Sequence, residues 1–255
     1  MRIEIVNSLD LEKMLNNPET LIDNLHNTVF IVRSYYEPAF IDYMKDFCLN
    51  FAKLHEPSWH PCVDGCPDYH RIHDQYPHAY VKATQHAYYF HTWNLNTNLF
   101  EKFIPLFELK ALLSNTDIKS STYLSNIPSH GPIARIVIHQ YPIGGGRQEE
   151  HVDPTSPFAR VQTIIQASTP QVDYKKGGLY INHDEFGVIN IDSLTRKGDL
   201  ILASPALKHG VASIDPDETL NWNNTNGRWI IMPIIINSDL VTETDTKPIG
   251  LGTLR

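Results

Sequence analysis

The second half of the chain is a series of short β-type runs with no helix between them. That feature restricts the possible folds more than any other. Ile133 to Tyr141, Val161 to Ser168, Gly178 to Asn182, Val188 to Ile191, Asp199 to Ala203 and Trp229 to Asn237 are apolar runs of strand length, separated by Gly, Pro and Asp. Such residues favour turns, each through its own backbone preference. Strands in series without crossover helices do not make the parallel sheets of α/β proteins. The pattern therefore predicts an antiparallel sandwich or barrel.

The first half reads differently. Ser8 or Asp10 can cap a helix with Leu11, Met14 and Leu15 on one face. Thr28 to Val32 is a short β-type run. Pro38 opens a second helix, in which Phe40, Ile41, Met44, Phe47, Cys48 and Phe51 recur at helical spacing. A third helix spans about Asn98 to Leu113, with Phe100, Phe103, Ile104 and Phe107 inward. Between Glu56 and Asn96 the periodicity dissolves, and EPSWHPCVDGCPDYHRIHDQYPH predicts a long ordered loop. The expected organisation is one domain over 1–255. It has a helical flank with substrate loops at 1–130, a β core at 131–240 and a tail at 241–255.

Charge and cysteine content exclude several classes. The formal net charge is -8 and no Lys/Arg cluster is present. That argues against nucleic acid, whose phosphates need a basic surface. Three cysteines do not make a disulfide framework. No apolar run approaches the roughly 20 residues that span a bilayer. The charged N-terminus lacks the apolar stretch of a signal peptide. A soluble, cytoplasmic protein is expected.

The chemistry is concentrated in two segments. In RQEEHVDPTSPFARVQT, His151 and Asp153 are one residue apart. On an extended strand residues i and i+2 share a face, so the pair can grip one metal ion from one side. KGDLILASPALKHGVASI supplies a second imidazole, His209, after a β run and Pro205. Two His and one carboxylate form the facial triad of non-haem Fe(II) oxygenases, with the opposite face of the octahedron open. A 2-oxo acid cosubstrate needs a cation for its far carboxylate. Arg228, in NGRWIIMPIII, offers a planar fork of matching shape. The alternative for Arg228 is a buried ion pair with an acid.

These residues occur in a familiar order: Tyr141 on a strand, His151-x-Asp153, Arg160, Gly177-Gly178, Gly198-Asp199, His209-Gly210-Val211, then Gly227-Arg228. Over about residues 133–237 the chain resembles the 2-oxoglutarate/Fe(II)-dependent oxygenase superfamily, and most of all its prolyl-hydroxylase-like branch. The resemblance implies a mainly β fold with flanking helices around a double-stranded β-helix (jelly-roll, cupin-like) core. It implies Fe(II) at His151, Asp153 and His209, and 2-oxoglutarate at Arg228 with Tyr141 nearby. It also implies O2 as the co-reactant and succinate as the cosubstrate product. Halogenating members lack the carboxylate ligand, so Asp153 favours hydroxylation or a related oxidation over halogenation.

Other residues are candidates for the substrate or for a second metal. The run HAYVKATQHAYYFHTWNLN mixes aromatic, His and Asn side chains. Tyr89, His91 and Trp93 from it, with Arg160 and Trp222, are candidate substrate contacts. Ordinary sheet packing explains the aromatics of that run almost as well. His60, Cys62, Cys66 and His70 raise a zinc reading, although the second half of such a site is not evident. The expected partner is a small molecule or a residue of another protein. A cupin-like isomerase or binding module without 2-oxo acid chemistry is the alternative function. An inactive interaction domain is disfavoured by the intact triad.

Overall fold

The structure is a computed structural model that describes residues 1–55, 57, 69–73, 81–92, 98–114, 119–127, 131–154 and 156–237. The first half supplies β1 (Arg2–Val6), α1 (Ser8–Leu15), α2 (Pro18–Leu25), β2 (Thr28–Val32), α3 (Pro38–Leu54), β3 (Tyr69–Ile72), β4 (Ala83–His91), α4 (Ile104–Leu113) and α5 (Ser120–Ser125). The second half supplies β5 (Pro132–Pro142), β6 (Gly146–His151), β7 (Gln162–Gln166), β8 (Gly178–His183), β9 (Gly187–Asn190), β10 (Leu200–Ala203), β11 (His209–Ile214) and β12 (Gly227–Asn237). No described helix is long and apolar enough to cross a membrane.

Strands β5 to β12 make a jelly roll. Four of them pair in the order β10-β7-β12-β5 and the other four in the order β6-β11-β8-β9. Apart from the β8–β9 hairpin, each strand lies in the opposite sheet from the one before it, which is the double Greek-key path of this architecture. Strands from the first half lengthen the first sheet. The β1–β2 pair adds at the β10 edge, and β4 with β3 adds at the β5 edge. At Ala83 and Thr84, β4 also pairs with Gln148 and Arg147 of β6, joining the two sheets along one side.

The alternation of strands β5 and β12 explains where the core and the cavity lie. Ile136, Ile138, Trp229, Ile231 and Ile235 point out of the sandwich and pack with Phe103, Leu106 and Phe107 beneath the helices. Val137, His139 and Tyr141 alternate with them on β5, as do Arg228, Ile230 and Met232 on β12, and these face the space between the sheets. Burying an Ile, Leu or Phe side chain stabilises by about 1.5–3 kcal/mol, so register along these 11-residue strands is strongly fixed.

Several predicted elements need correction. Among its described residues, the segment between Glu56 and Asn96 contains β3 and β4. Strand β4 is buried at all nine positions because it is covered on both faces; it therefore carries no alternating pattern to read. Helix α2 is not among the predicted elements, although Asn17 caps it, Pro18 opens it, and Leu21, Ile22 and Leu25 are buried. The cap of α1 is Asn7, not Ser8 or Asp10. The Asn7 side chain accepts from the Asp10 N–H at 3.0 Å, and the Asp10 carboxylate accepts from the Asn7 N–H at 3.4 Å. Strands β6 and β11 were also not predicted as strands. Their sequences, GRQEEH and HGVASI, lack an apolar run.

Candidate metal centre and active site

The three expected ligands come together. His151 is the last residue of β6 and His209 the first of β11, and the two are directly opposed in the antiparallel register. Asp153 lies just past the end of β6, not on it as the i, i+2 argument requires. Its N–H donates to the Pro205 carbonyl at 3.0 Å, which ties the turn to the chain entering β11. His151 Nε2 is 3.4 Å from Asp153 Oδ1, and His209 Nε2 is 3.3 Å from Asp153 Oδ2. All three ligand atoms lie within 4.8 Å of one another.

Both imidazoles are held for ligation. His151 Nδ1 is 2.8 Å from the Glu149 carbonyl, and His209 Nδ1 is 2.8 Å from the Leu207 carbonyl. A carbonyl only accepts, so each Nδ1 carries a proton, and each Nε2 is turned toward the carboxylate, where a metal ion would replace any proton on it and take its lone pair. Gln162 Nε2 donates to Asp153 Oδ2 and orients the carboxylate. Burial pushes the Asp153 carboxyl up. Hydrogen bonds and attraction from the two histidines outweigh that and hold it well below the usual carboxylate range. Burial lowers His209, but Asp153 more than offsets it and leaves His209 raised. An anion and two aligned nitrogen lone pairs around one point fit a divalent cation.

The cavity continues from this triad into the sandwich. Ile164, Leu179, Val211 and Ile230 form apolar walls. Arg228 closes the inner end and is 1% exposed. It sits opposite Tyr141 in the β12–β5 register, with its guanidinium 5.6 Å from the Tyr141 ring centroid. The Tyr141 hydroxyl donates to Gln148 Oε1 at 2.8 Å. Arg228 also forms the buried ion pair that was the alternative for it. Its Nε donates to Asp192 Oδ2 at 2.6 Å and its Nη2 to Asp192 Oδ1 at 3.1 Å. The Tyr174 hydroxyl donates to the same carboxylate. Gly178 has φ of +109° and lies so close to Asp192 that any side chain there would collide with the carboxylate. Nη1 of Arg228 makes no hydrogen bond among the described residues, and the side chain still lines the cavity.

The other candidates are scattered. Tyr89 is on β4, buried edge-to-face against His139 with ring centroids 6.2 Å apart. His91 Nε2 accepts from Arg135 Nε at 2.8 Å. Trp222 lies on the far face of the first sheet, where its carbonyl is 2.9 Å from His86 Nε2 and its ring is edge-on to His86. Neighbouring β5 shows the same placement, because Gln140, whose side chain points away from the cavity, donates to the Asn224 carbonyl. Arg160 grips Glu19 at 3.1 and 3.2 Å and the Leu113 carbonyl at 3.0 Å. Trp93 lies outside the described residues, as do His60, Cys62 and Cys66, while His70 is buried on β3 beside Tyr89.

Sequence reasoning missed Gln148, Gln162, His139 and Asp192. A period-two reading outward from Tyr141 points to His139, but nothing in NIDSL marks Asp192. It also missed Lys110, buried on α4, whose Nζ donates to the Val161 carbonyl at 2.7 Å. Burial pushes that amine down to about 8.

No family model and no curated protein matches the chain. Solved structures do. A Pseudomonas putida prolyl-4-hydroxylase aligns over 86% of this chain and 97% of its own, with a TM-score of 0.53 at 9% identity. A prolyl hydroxylase from Trichoplax adhaerens, solved with a peptide fragment of the hypoxia inducible factor oxygen degradation domain, aligns over 90% and 93%, with a TM-score of 0.51 at 13% identity. The chain therefore has the jelly-roll fold of the prolyl hydroxylases, and the resemblance read from the sequence is borne out in the fold.

Proposed function

We propose that the chain is an Fe(II)- and 2-oxoglutarate-dependent oxygenase, a hydroxylase of a small molecule or of a residue in another protein. One observation carries the reading. Two imidazoles locked through Nδ1 turn their Nε2 atoms toward one carboxylate, at the head of a cavity that runs on to a buried arginine. Two nitrogens and one carboxylate suit ferrous iron and leave coordination positions for other ligands. His151, Asp153 and His209 would hold the iron, with Arg228 and Tyr141 binding the far carboxylate of 2-oxoglutarate. Bound there, Fe(II) and 2-oxoglutarate would supply oxidation of a substrate C–H bond by O2, coupled to loss of CO2 from 2-oxoglutarate to give succinate.

The protein's own contribution is positional. Asp153 remains ionised, and Gln162 fixes which way its oxygens face. The apolar walls would limit water in the space between the triad and Arg228. The Trichoplax enzyme was solved with a peptide, which supports including protein residues among the substrate classes. Anaerobic addition of Fe(II) and 2-oxoglutarate tests the proposal. A visible charge-transfer band is expected, followed in air by succinate release that a true substrate accelerates.

The Arg228–Asp192 pair favours a second reading, a cupin-like isomerase or binding module without 2-oxo acid chemistry, because Asp192 already satisfies the arginine. Such a protein would bind the metal and show no band with 2-oxoglutarate.

A further inference from the structure

One polar atom in the cavity has no place in the site described so far. His139 is 3% exposed, and its Nε2 has no hydrogen-bond partner among the described residues. It lines the cavity on the same face of β5 as Tyr141. A buried polar atom left unsatisfied is destabilising. Native structures keep such atoms mainly where a ligand, water or ion completes them. The location suggests which ligand. His139 lines the same cavity as Asp153 and Arg228, and the Tyr141 side chain, 3.4 Å from His139 Nδ1 and 5.6 Å below the Arg228 guanidinium, places the ring toward the Arg228 end of the space that a 2-oxo acid would span. Burial first, and Arg228 second, push the imidazole down to about 3, so it is neutral at working pH.

We propose that His139 is a cosubstrate-binding residue whose Nε2–H donates a hydrogen bond to the 2-oxoglutarate carboxylate at the Arg228 end of the cavity. The inference rests on the function proposed above. The charges at that end call for a neutral donor. Arg228 already shares Nε and Nη2 with Asp192. A dicarboxylate arriving beside that compensated pair needs further N–H or O–H groups, and a carboxylate can only accept.

The surroundings of His139 allow the proton to sit where it is needed. The Tyr141 hydroxyl donates to Gln148 Oε1 and lies 3.4 Å from His139 Nδ1. The two ends of the Gln148 amide are interchangeable in shape, so the side chain can present Nε2 to Tyr141 instead. The tyrosine proton then turns to His139 Nδ1, and the ring proton resides on Nε2. A bound carboxylate selects this direction of the Gln148–Tyr141–His139 chain.

The test is anaerobic titration of 2-oxoglutarate into the Fe(II)-loaded protein, read by the charge-transfer band, with calorimetry on the Mn(II)-loaded protein as a second readout. His139→Leu is expected to weaken 2-oxoglutarate binding about tenfold or more and to leave Fe(II) affinity unchanged. The thermal midpoint of the metal-free variant should equal or exceed that of the wild type, because an unsatisfied buried nitrogen has been removed. A histidine needed only for packing would lower that midpoint. His139→Gln, which brings an amide N–H near the Nε2 position, should hold affinity within about threefold of wild type. Wild-type affinity in His139→Leu, or a loss that His139→Gln does not reverse, overturns the inference alone. A wild-type protein that holds Fe(II) but binds no 2-oxoglutarate overturns the proposed function and this inference with it.

Discussion

The two ends of the cavity are built on opposite principles. At the triad end, a carboxylate and two histidines crowd together at and just past the ends of β6 and β11. At the inner end, near the start of β12, a cation is fully buried and already balanced by Asp192. The charge of the second end is balanced as it stands, although His139 Nε2 there is left without a hydrogen-bond partner among the described residues. Metal removal should therefore leave the fold intact, whereas damage at the inner end should be felt in stability as well as in binding.

The largest expected effect sharpens that contrast. His151→Ala should reduce Fe(II) affinity at least about a hundredfold, with the metal-free midpoint close to wild type. Metal analysis and thermal melts check it, and iron occupancy equal to the parent would remove His151 from the ligand set. Arg228→Ala should behave differently. It leaves Asp192 buried and uncompensated, which costs about 3–5 kcal/mol of stability. It should also weaken 2-oxoglutarate roughly thirtyfold or more, while iron binding persists. The double variant Arg228→Met with Asp192→Leu should recover most of the stability and none of the 2-oxoglutarate affinity. Recovery of both would show that the arginine serves only its ion pair.

Gln162→Leu is expected to be milder. It removes the donor that orients Asp153 and should cost about tenfold in Fe(II) affinity, read by competition with a chelator. The smallest effect is on pH dependence. His209 is raised when folded, so in the metal-free protein its contribution is full below its ordinary value of 6.5 and fades as pH rises through the higher folded value. Asp153 is lowered, so its contribution is present above its ordinary 3.8 and is lost as pH falls through the lower folded value. Iron reverses the trend for His209, since metal and proton compete for Nε2. Melting curves from about pH 6 to 8 should show the metal-free protein losing stability and the Fe(II)-loaded anaerobic protein gaining it. Parallel curves would contradict the shared His209–Asp153 contact.

The legible part of the site was its ligand chemistry. His151, Asp153 and His209 stand in a spacing and order that few other functions require, and the apolar runs around them marked six of the eight jelly-roll strands close to their observed limits. Strands β6 and β11 escaped because GRQEEH is polar throughout and the apolar Val211 and Ile214 of HGVASI are separated by small residues, so neither segment reads as an apolar run. Trp222 and Arg160 show what a sequence reading of side-chain type leaves out. Both have the side chains of a binding site, yet one packs on the far face of the sheet and the other pairs with Glu19.

The sequence by itself marked the candidate donor set and determined the class of fold, since both are written locally: a period of two for strands, a His-x-Asp pair that could grip a metal. Tertiary structure alone decided what surrounds them. Asp192, 36 positions from Arg228, becomes its partner only when a 3-10 turn carries it under Gly178. Strand β4 becomes a buried member of the first sheet only when β5 and β6 take its backbone hydrogen bonds. Charge compensation and strand pairing are satisfied between distant segments after the chain has closed, so no window of sequence contains them.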